Sequence, residues 1–284
     1  MPSPSDPPHP VDVMIKLLWS PPRGVKRQYN SRKHPDNFHL YRQWGFPIYR
    51  TYYGPKSDKH WNMLLDAMKQ QTKLAFGFYE DDEDVDQGDV QRLKDLFHLD
   101  THEDASILDG LDVQGIRALC QGQLEAFNEK PGMAGKLFRF VLLADESVFE
   151  DIEKGEFVIK AVSLKWDEGY EVGWGWMRIP TGYLLNLWEK LTRWEDDTEK
   201  ALPFDGPEQD LDDYVWPGDL AIEPTGVCSE VRRLCFHYSG QRPDRTGGCF
   251  KLSSLAVFWL NHQCRAVTII KNTFPTHHRI IFQC

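Results

Sequence analysis

Long hydrophobic runs are missing from this chain. No apolar stretch approaches the ~18 residues of a membrane span, so no transmembrane segment is expected. Cysteine is nearly missing from the first 226 residues, where Cys120 stands alone. That excludes a disulfide scaffold there and fits a reduced compartment. Positive charge is scarce as well: residues 1–226 hold 25 basic and 41 acidic side chains, a balance of −16. Such a body repels phosphate, so nucleic acid is not expected as a partner. The opening MPSPSDPPHP lacks the basic-then-apolar layout of a secretory signal, and a cytoplasmic or nuclear location is the expectation. No GxSxG elbow, GxxxxGK[ST] phosphate loop or GxGxxG fingerprint occurs, so no cofactor is expected.

What is present is a globular composition, with 284 residues, 41% of them apolar and 13% aromatic. Charge and cysteine both break near residue 226. The last 58 residues carry 8 basic against 2 acidic side chains and five of the six cysteines. Those cysteines form no CxxC pair, and a basic peptide rich in Cys and His offers only an irregular set of ligands, so no metal site is expected there.

The other flank is proline-rich. Pro2, Pro4, Pro7, Pro8 and Pro10 deny the chain helix and ladder hydrogen bonds, so residues 1–12 are expected to be disordered. A short apolar piece, Val13 to Trp19, follows. Residues 20–42 then carry six cations against Asp36 alone and read as a basic linker that pairs with the acidic body. The whole of 1–43 is accordingly set apart from a folded domain at 44–193.

Within that domain, WGFPIYRTYY from Trp44 to Tyr53 reads as a strand, bounded by Gly54-Pro55. Ser57 is placed to cap a helix whose stripe is Trp61, Leu64, Leu65 and Met68, extended by Leu74 and Ala75. The acidic run 80–86 reads as a solvated loop. Short helices are expected from Val90 to Phe97 and after Asp112, making residues 80–135 a mostly helical insertion. Leu137 to Ala144 and Phe157 to Trp166 read as strands, with a short helix between them under a Ser147/Glu150 capping box. Val172 to Ile179 completes a hairpin, and Pro180 opens a final helix. The acidic, Pro/Gly-punctuated segment 194–226 reads as a loop leaving the domain. The expected class is α+β, a mixed sheet of about four strands covered by helices.

The chemical candidates thin out on inspection. Asp82, Asp84 and Asp86 alternate like calcium ligands, but Gln87 and Leu93 stand where such a loop needs Gly and Glu. His98 and His102 are spaced for one helix face, but no Glu follows the first, and both read as surface histidines. Two sets remain. Asp58 and His60 at a helix start, with Arg50 on the preceding strand, could serve acid–base chemistry. Trp166, Trp174, Trp176 and Arg178 around the hairpin could wall a ligand site.

Three motifs, Trp44–Thr51 (WGFPIYRT), Ser57-Asp58 with Trp61, and Gly173–Pro180 (GWGWMRIP), resemble a group of uncharacterised proteins from filamentous fungi over roughly residues 44–193. The resemblance implies no activity and transfers no catalytic residue. The tail beyond about Gly226 departs from the ending of that group, as an extension or as translated non-coding sequence. The sequence thus points first to a non-catalytic binding or accessory protein with an aromatic-lined surface for a protein or small ligand. The alternative is a small-molecule enzyme of fungal metabolism using Asp58, His60 and Arg50.

Overall fold

The computed structural model describes residues 8–21, 32–80, 82–122, 132–166, 173–193, 204 and 206–216. The cysteines of the tail lie outside these residues, as do Asp167–Val172 of the hairpin turn.

The fold is α+β, built on a five-stranded mixed sheet in the order β2-β1-β3-β4-β5. Strand β1 (Trp44–Arg50) lies between β2 (Phe97–His102) and β3 (Phe140–Ala144) and runs parallel to both. Strands β4 (Val158–Ser163) and β5 (Trp176–Pro180) continue the sheet as an antiparallel pair. A parallel pair cannot be closed by a tight turn, so helices fill the crossovers. These are α2 (Ser57–Ala75), α3 (Gly77–Glu80) and α4 (Gln87–Leu96) between β1 and β2. Then come α5 (Ala105–Leu108), α6 (Val113–Gly122) and α7 (Ala134–Leu137) before β3, α8 (Glu146–Glu153) before β4, and α9 (Leu184–Arg193) after β5.

One strand was hidden from the sequence. The interval 80–135 is not wholly helical: after α4 the chain turns extended at Phe97, and β2 pairs with β1 from Trp44↔Phe97 to Tyr49↔His102. The competing signal was the helical spacing of Val90, Leu93 and Leu96, which continues into Phe97. What decides is the ladder. Gly45, at φ +137°, lets β2 approach so closely that a Cβ there would sit 1.9 Å from the His98 carbonyl oxygen. His98 and His102 therefore share a strand face rather than a helix face.

The core lies mainly between the sheet and α2/α9. Trp44 and Phe46 project to that side, where Trp44 meets Phe76 and Trp188, and Trp188 also contacts Phe46 and Phe138. Strands β1, β3 and β4 are buried on both faces, as expected when helices cover a parallel centre. The opposite face carries Tyr49, with Cys120 of α6 against it.

Local details differ from expectation in ways that have causes. Lys56, at φ +64°, occupies the N-cap of α2, and Ser57 is the first helical residue, its hydroxyl turned back to donate to the Gly54 carbonyl. Leu74 is exposed, and Thr72 takes the buried place at the end of the α2 stripe. Asp145, not Ser147, caps α8, accepting from the Val148 amide. Asp112 does cap α6, through the Gly115 amide.

The flanks differ more. Pro10, counted among the disorder-promoting prolines, opens helix α1 (Pro10–Leu18) at the position where a missing N–H costs nothing. Val11, Met14, Ile15 and Leu18 of α1 are buried in the common core, so the packed body begins well before residue 44. Of the linker cations, Arg32 reaches Asp89 at 3.6 Å and Lys33 reaches Asp86 at 2.5 Å, Arg42 donates to the Ser20 hydroxyl instead, and Arg23, Lys26 and Arg27 lie outside the described residues. At the other end, residues 206–216 do not leave the domain. Leu211, Val215 and Trp216 are buried against it.

Candidate functional site

Open sheets with parallel strands tend to bind ligands beyond the carboxyl ends of those strands, where neighbouring crossovers part. In this fold that edge receives Arg50, the loop 51–56, Glu103 and the start of α8. Arg50 is buried to 5% exposure, and its donors are committed. Its Nε donates to the Tyr52 carbonyl at 3.1 Å, and one terminal nitrogen donates to the Ser57 hydroxyl at 2.9 Å and to Asp58 at 2.5 Å. The guanidinium also lies 4.6 Å over the Tyr53 ring. Asp58, by contrast, has a side chain 89% exposed. The arrangement pins the β1–α2 junction. His60 is half-buried one turn into α2, and its backbone N–H donates to the Lys56 carbonyl. The structure joins Arg50 and Asp58 in a hydrogen bond in which His60 takes no part.

Carboxylates crowd this edge. Desolvation, followed by Glu146, holds the Tyr52 hydroxyl above its usual range, and desolvation together with Glu103, Asp104 and Asp109 does the same for Tyr53. Nearby, His102 stacks on Tyr49 at 4.5 Å and faces Asp100 at 3.3 Å. Burial pushes the Cys120 thiol up to about 11, and burial with the adjacent thiol raises the Tyr49 hydroxyl. A thiol so held is protonated at neutral pH and is not a nucleophile.

The alternating aspartates are spent on local structure. Asp82 accepts from the Asp84 amide, and Asp86 caps α4 through the Gly88 amide while binding Lys33. Among the described residues no group of three or more His, Cys, Asp or Glu is placed to hold a metal ion. No described helix is long and apolar enough to cross a membrane.

The second candidate set lies toward the far edge of the sheet in two groups, Trp166 with Trp174 and Trp176 with Arg178. Gly175, at φ +64°, turns the chain so tightly that a Cβ would lie 2.3 Å from Trp166 Cβ, which explains the glycine of the GWGW motif. Trp166 and Trp174 are half-buried with ring centres 6.5 Å apart, and the Arg117 guanidinium lies 4.7 Å over Trp166. Arg117 is anchored by the Ser163 and Trp174 carbonyls, both at 3.0 Å. On β5, Trp176 and Arg178 point to the same side of the sheet as Lys160, the register partner of Arg178 on β4. The Lys160 ammonium lies 5.1 Å over the Trp176 ring and 2.7 Å from Asp145. Arg178 donates to Asp151, a carboxylate on α8 whose side chain is 11% exposed.

Segment 206–216 runs along this wall. Trp174 donates its indole N–H to the Gly206 carbonyl at 2.9 Å, and Trp176 donates to Glu208 at 3.0 Å. Arg178 donates to the Asp212 carbonyl, and the Trp216 amide donates back to the Arg178 carbonyl at 2.7 Å. The resulting parallel bridge, Arg178↔Val215, extends the outer edge of β5. All four wall residues named from the sequence are thus brought together. Lys160, Asp145, Asp151 and Arg117 were missed, although a lysine inside the apolar run FVIKAVS was a readable signal.

In comparisons with known proteins, no family model matches the chain, and no curated protein and no solved structure is significantly similar to it.

Proposed function

We propose that this is a non-catalytic binding protein whose working surface is the aromatic and cationic wall formed by Trp166, Trp174, Trp176, Arg117, Lys160 and Arg178. One observation carries the reading. Trp166 and Trp174 stay partly exposed beside the Arg117 guanidinium stacked on Trp166, whereas Trp176, Lys160 and Arg178 are buried, and the indole N–H groups of Trp174 and Trp176 donate to Gly206 and Glu208 of segment 206–216. The set of π-faces, N–H donors and cations, met in this structure by segment 206–216, Asp145 and Asp151, suits ligands rich in carbonyl and carboxylate oxygens. The resemblance to fungal proteins is consistent with an accessory role and adds no activity.

The Arg50–Asp58 pair favours no enzyme. Its donors are occupied, and acid–base work by Asp58 and His60 would require Arg50 to leave three partners.

The test is thermal unfolding of the full chain against panels of acidic, neutral and basic ligands, peptides and small molecules alike. A ligand present at a hundred times its Kd adds about 2.7 kcal/mol of stability. Acidic ligands are expected to raise the Tm of the wild type and not of the Trp166→Ala/Trp174→Ala variant. Equal shifts in both proteins would place binding elsewhere.

A further inference from the structure

The segment 206–216, GPEQDLDDYVW, holds four carboxylates and no cation. It lies on the one edge where this acidic body gathers Lys160 and Arg178 in register. Residues 208–212 form a short 3-10 turn, and the segment's contacts are those of a bound peptide: backbone carbonyls on an indole N–H and a guanidinium, a carboxylate on a second indole, and a single bridge hydrogen bond to a sheet edge. Lys160 adds Asp212 at 3.8 Å. Leu211, Val215 and Trp216 are the apolar anchors, Trp216 lying edge-on to Tyr183.

The fit is incomplete. Among the described residues, the buried Arg178 Nε and Trp216 indole N–H have no hydrogen-bond partner. Unmet donors penalise the closed state. A competitor that supplied an acceptor to Arg178 Nε and replaced Trp216 with an anchor free of an unmet donor would gain what the resident segment forgoes.

Resting on the binding reading above, we infer that residues 206–216 are a resident pseudo-ligand, and that the partner is a protein presenting a short acidic segment with aromatic anchors, which displaces it from the β5 edge. The wall is thereby masked until such a partner arrives. Displacement exchanges one set of edge hydrogen bonds for another, so neither state leaves the Arg178 carbonyl without a donor.

Two measurements on the full chain decide this. In hydrogen exchange of the wild type, the Trp216 amide is expected to exchange at least a hundredfold faster than the Val141 amide of β3, through local opening. Exchange at the rate of β3 would make the segment a fixed part of the fold and overturn the inference. In anisotropy titrations with a labelled GPEQDLDDYVW peptide, the Leu211→Ala/Trp216→Ala chain is expected to bind at least tenfold more tightly than wild type. Binding should weaken severalfold as ionic strength rises from about 0.05 to 0.5 M. Equal affinity for the two chains would overturn the masking while sparing the binding reading. No binding to an open segment would end both. A variant that dimerises without taking up peptide assigns the edge to a second copy and overturns the choice of partner. Should the double variant fail to fold, the wild-type exchange measurement still decides.

Discussion

Two arginines sit on separate strands of this sheet, Arg50 on the inner strand β1 and Arg178 on the outer strand β5, and their surroundings differ in kind. Arg50 ends β1 and takes its hydrogen-bonding partners from residues 52–58, so its clamp is local and its carboxylate, Asp58, is nearly free in water. Arg178 lies in β5 and draws on Asp151, 27 positions away, and on Asp212, 34 positions away. Both its guanidinium and the Asp151 carboxylate are shielded from water. The first charge pair trims a turn, whereas the second ties α8, β5 and the segment 206–216 into one unit. An ion pair in water contributes little, while a shielded one becomes a liability once a partner is removed.

The largest effect should come from breaking the shielded pair. Asp151→Ala strands Arg178 in the interior and is expected to cost about 3–5 kcal/mol in urea unfolding. Asp58→Ala, the matched change at the other arginine, should cost at most about 1 kcal/mol. Comparable losses for the two would remove the distinction between them.

Next in size is Gly175→Ala. A side chain there is strained at positive φ and collides with Trp166, so about 1–3 kcal/mol is expected, together with altered tryptophan fluorescence. Unchanged stability and emission would show that the hairpin end adapts freely.

A smaller effect is expected from Trp176→Phe, which keeps an aromatic ring over Lys160 but loses the N–H bond to Glu208. The cost should be about 1 kcal/mol, with faster exchange of the Trp216 amide. Stability lost without faster exchange would separate β5 packing from the holding of 206–216.

A further effect appears only in alkali and is absent at neutral pH. The buried Cys120 thiol has its folded pKa raised to about 11 from 9.0. The folded state then keeps a proton that the unfolded chain releases, so this stabilisation is complete below pH 9 and is lost as pH rises toward 11. Urea unfolding at stepped pH should show the decline, and Cys120→Ala should lessen its onset between about pH 9 and 10, below the range in which the raised tyrosine hydroxyls contribute. In the native state Cys120 should also resist iodoacetamide at pH 8, read by peptide mass mapping. Rapid native alkylation would contradict its burial.

The two arginines also mark what could be read from the sequence. Arg50, Ser57 and Asp58 are close enough along the chain for a strand–turn–helix reading to unite them, and the structure does so. The wall of Trp166, Trp174, Trp176 and Arg178 was legible because one hairpin carries it. Strand β2 was not, because Phe97 fits both the helical spacing before it and the strand after it. Nor were α1 and 206–216: a proline-rich start and an acidic, Pro/Gly-punctuated stretch have the composition of linkers, and their buried anchors are few.

By itself, then, the sequence determined the α+β class, the long amphipathic helix α2, the β4–β5 hairpin and the concentration of tryptophan and charge around it. These rest on periodicity and turn chemistry, which act over a few residues. The tertiary structure decided the partner of β1, the inclusion of both flanks in the core, and the covering of the tryptophan wall by an acidic segment. Those depend on ladder pairing and on charges separated by dozens of residues. Local preference leaves such contacts open, and burial selects among them.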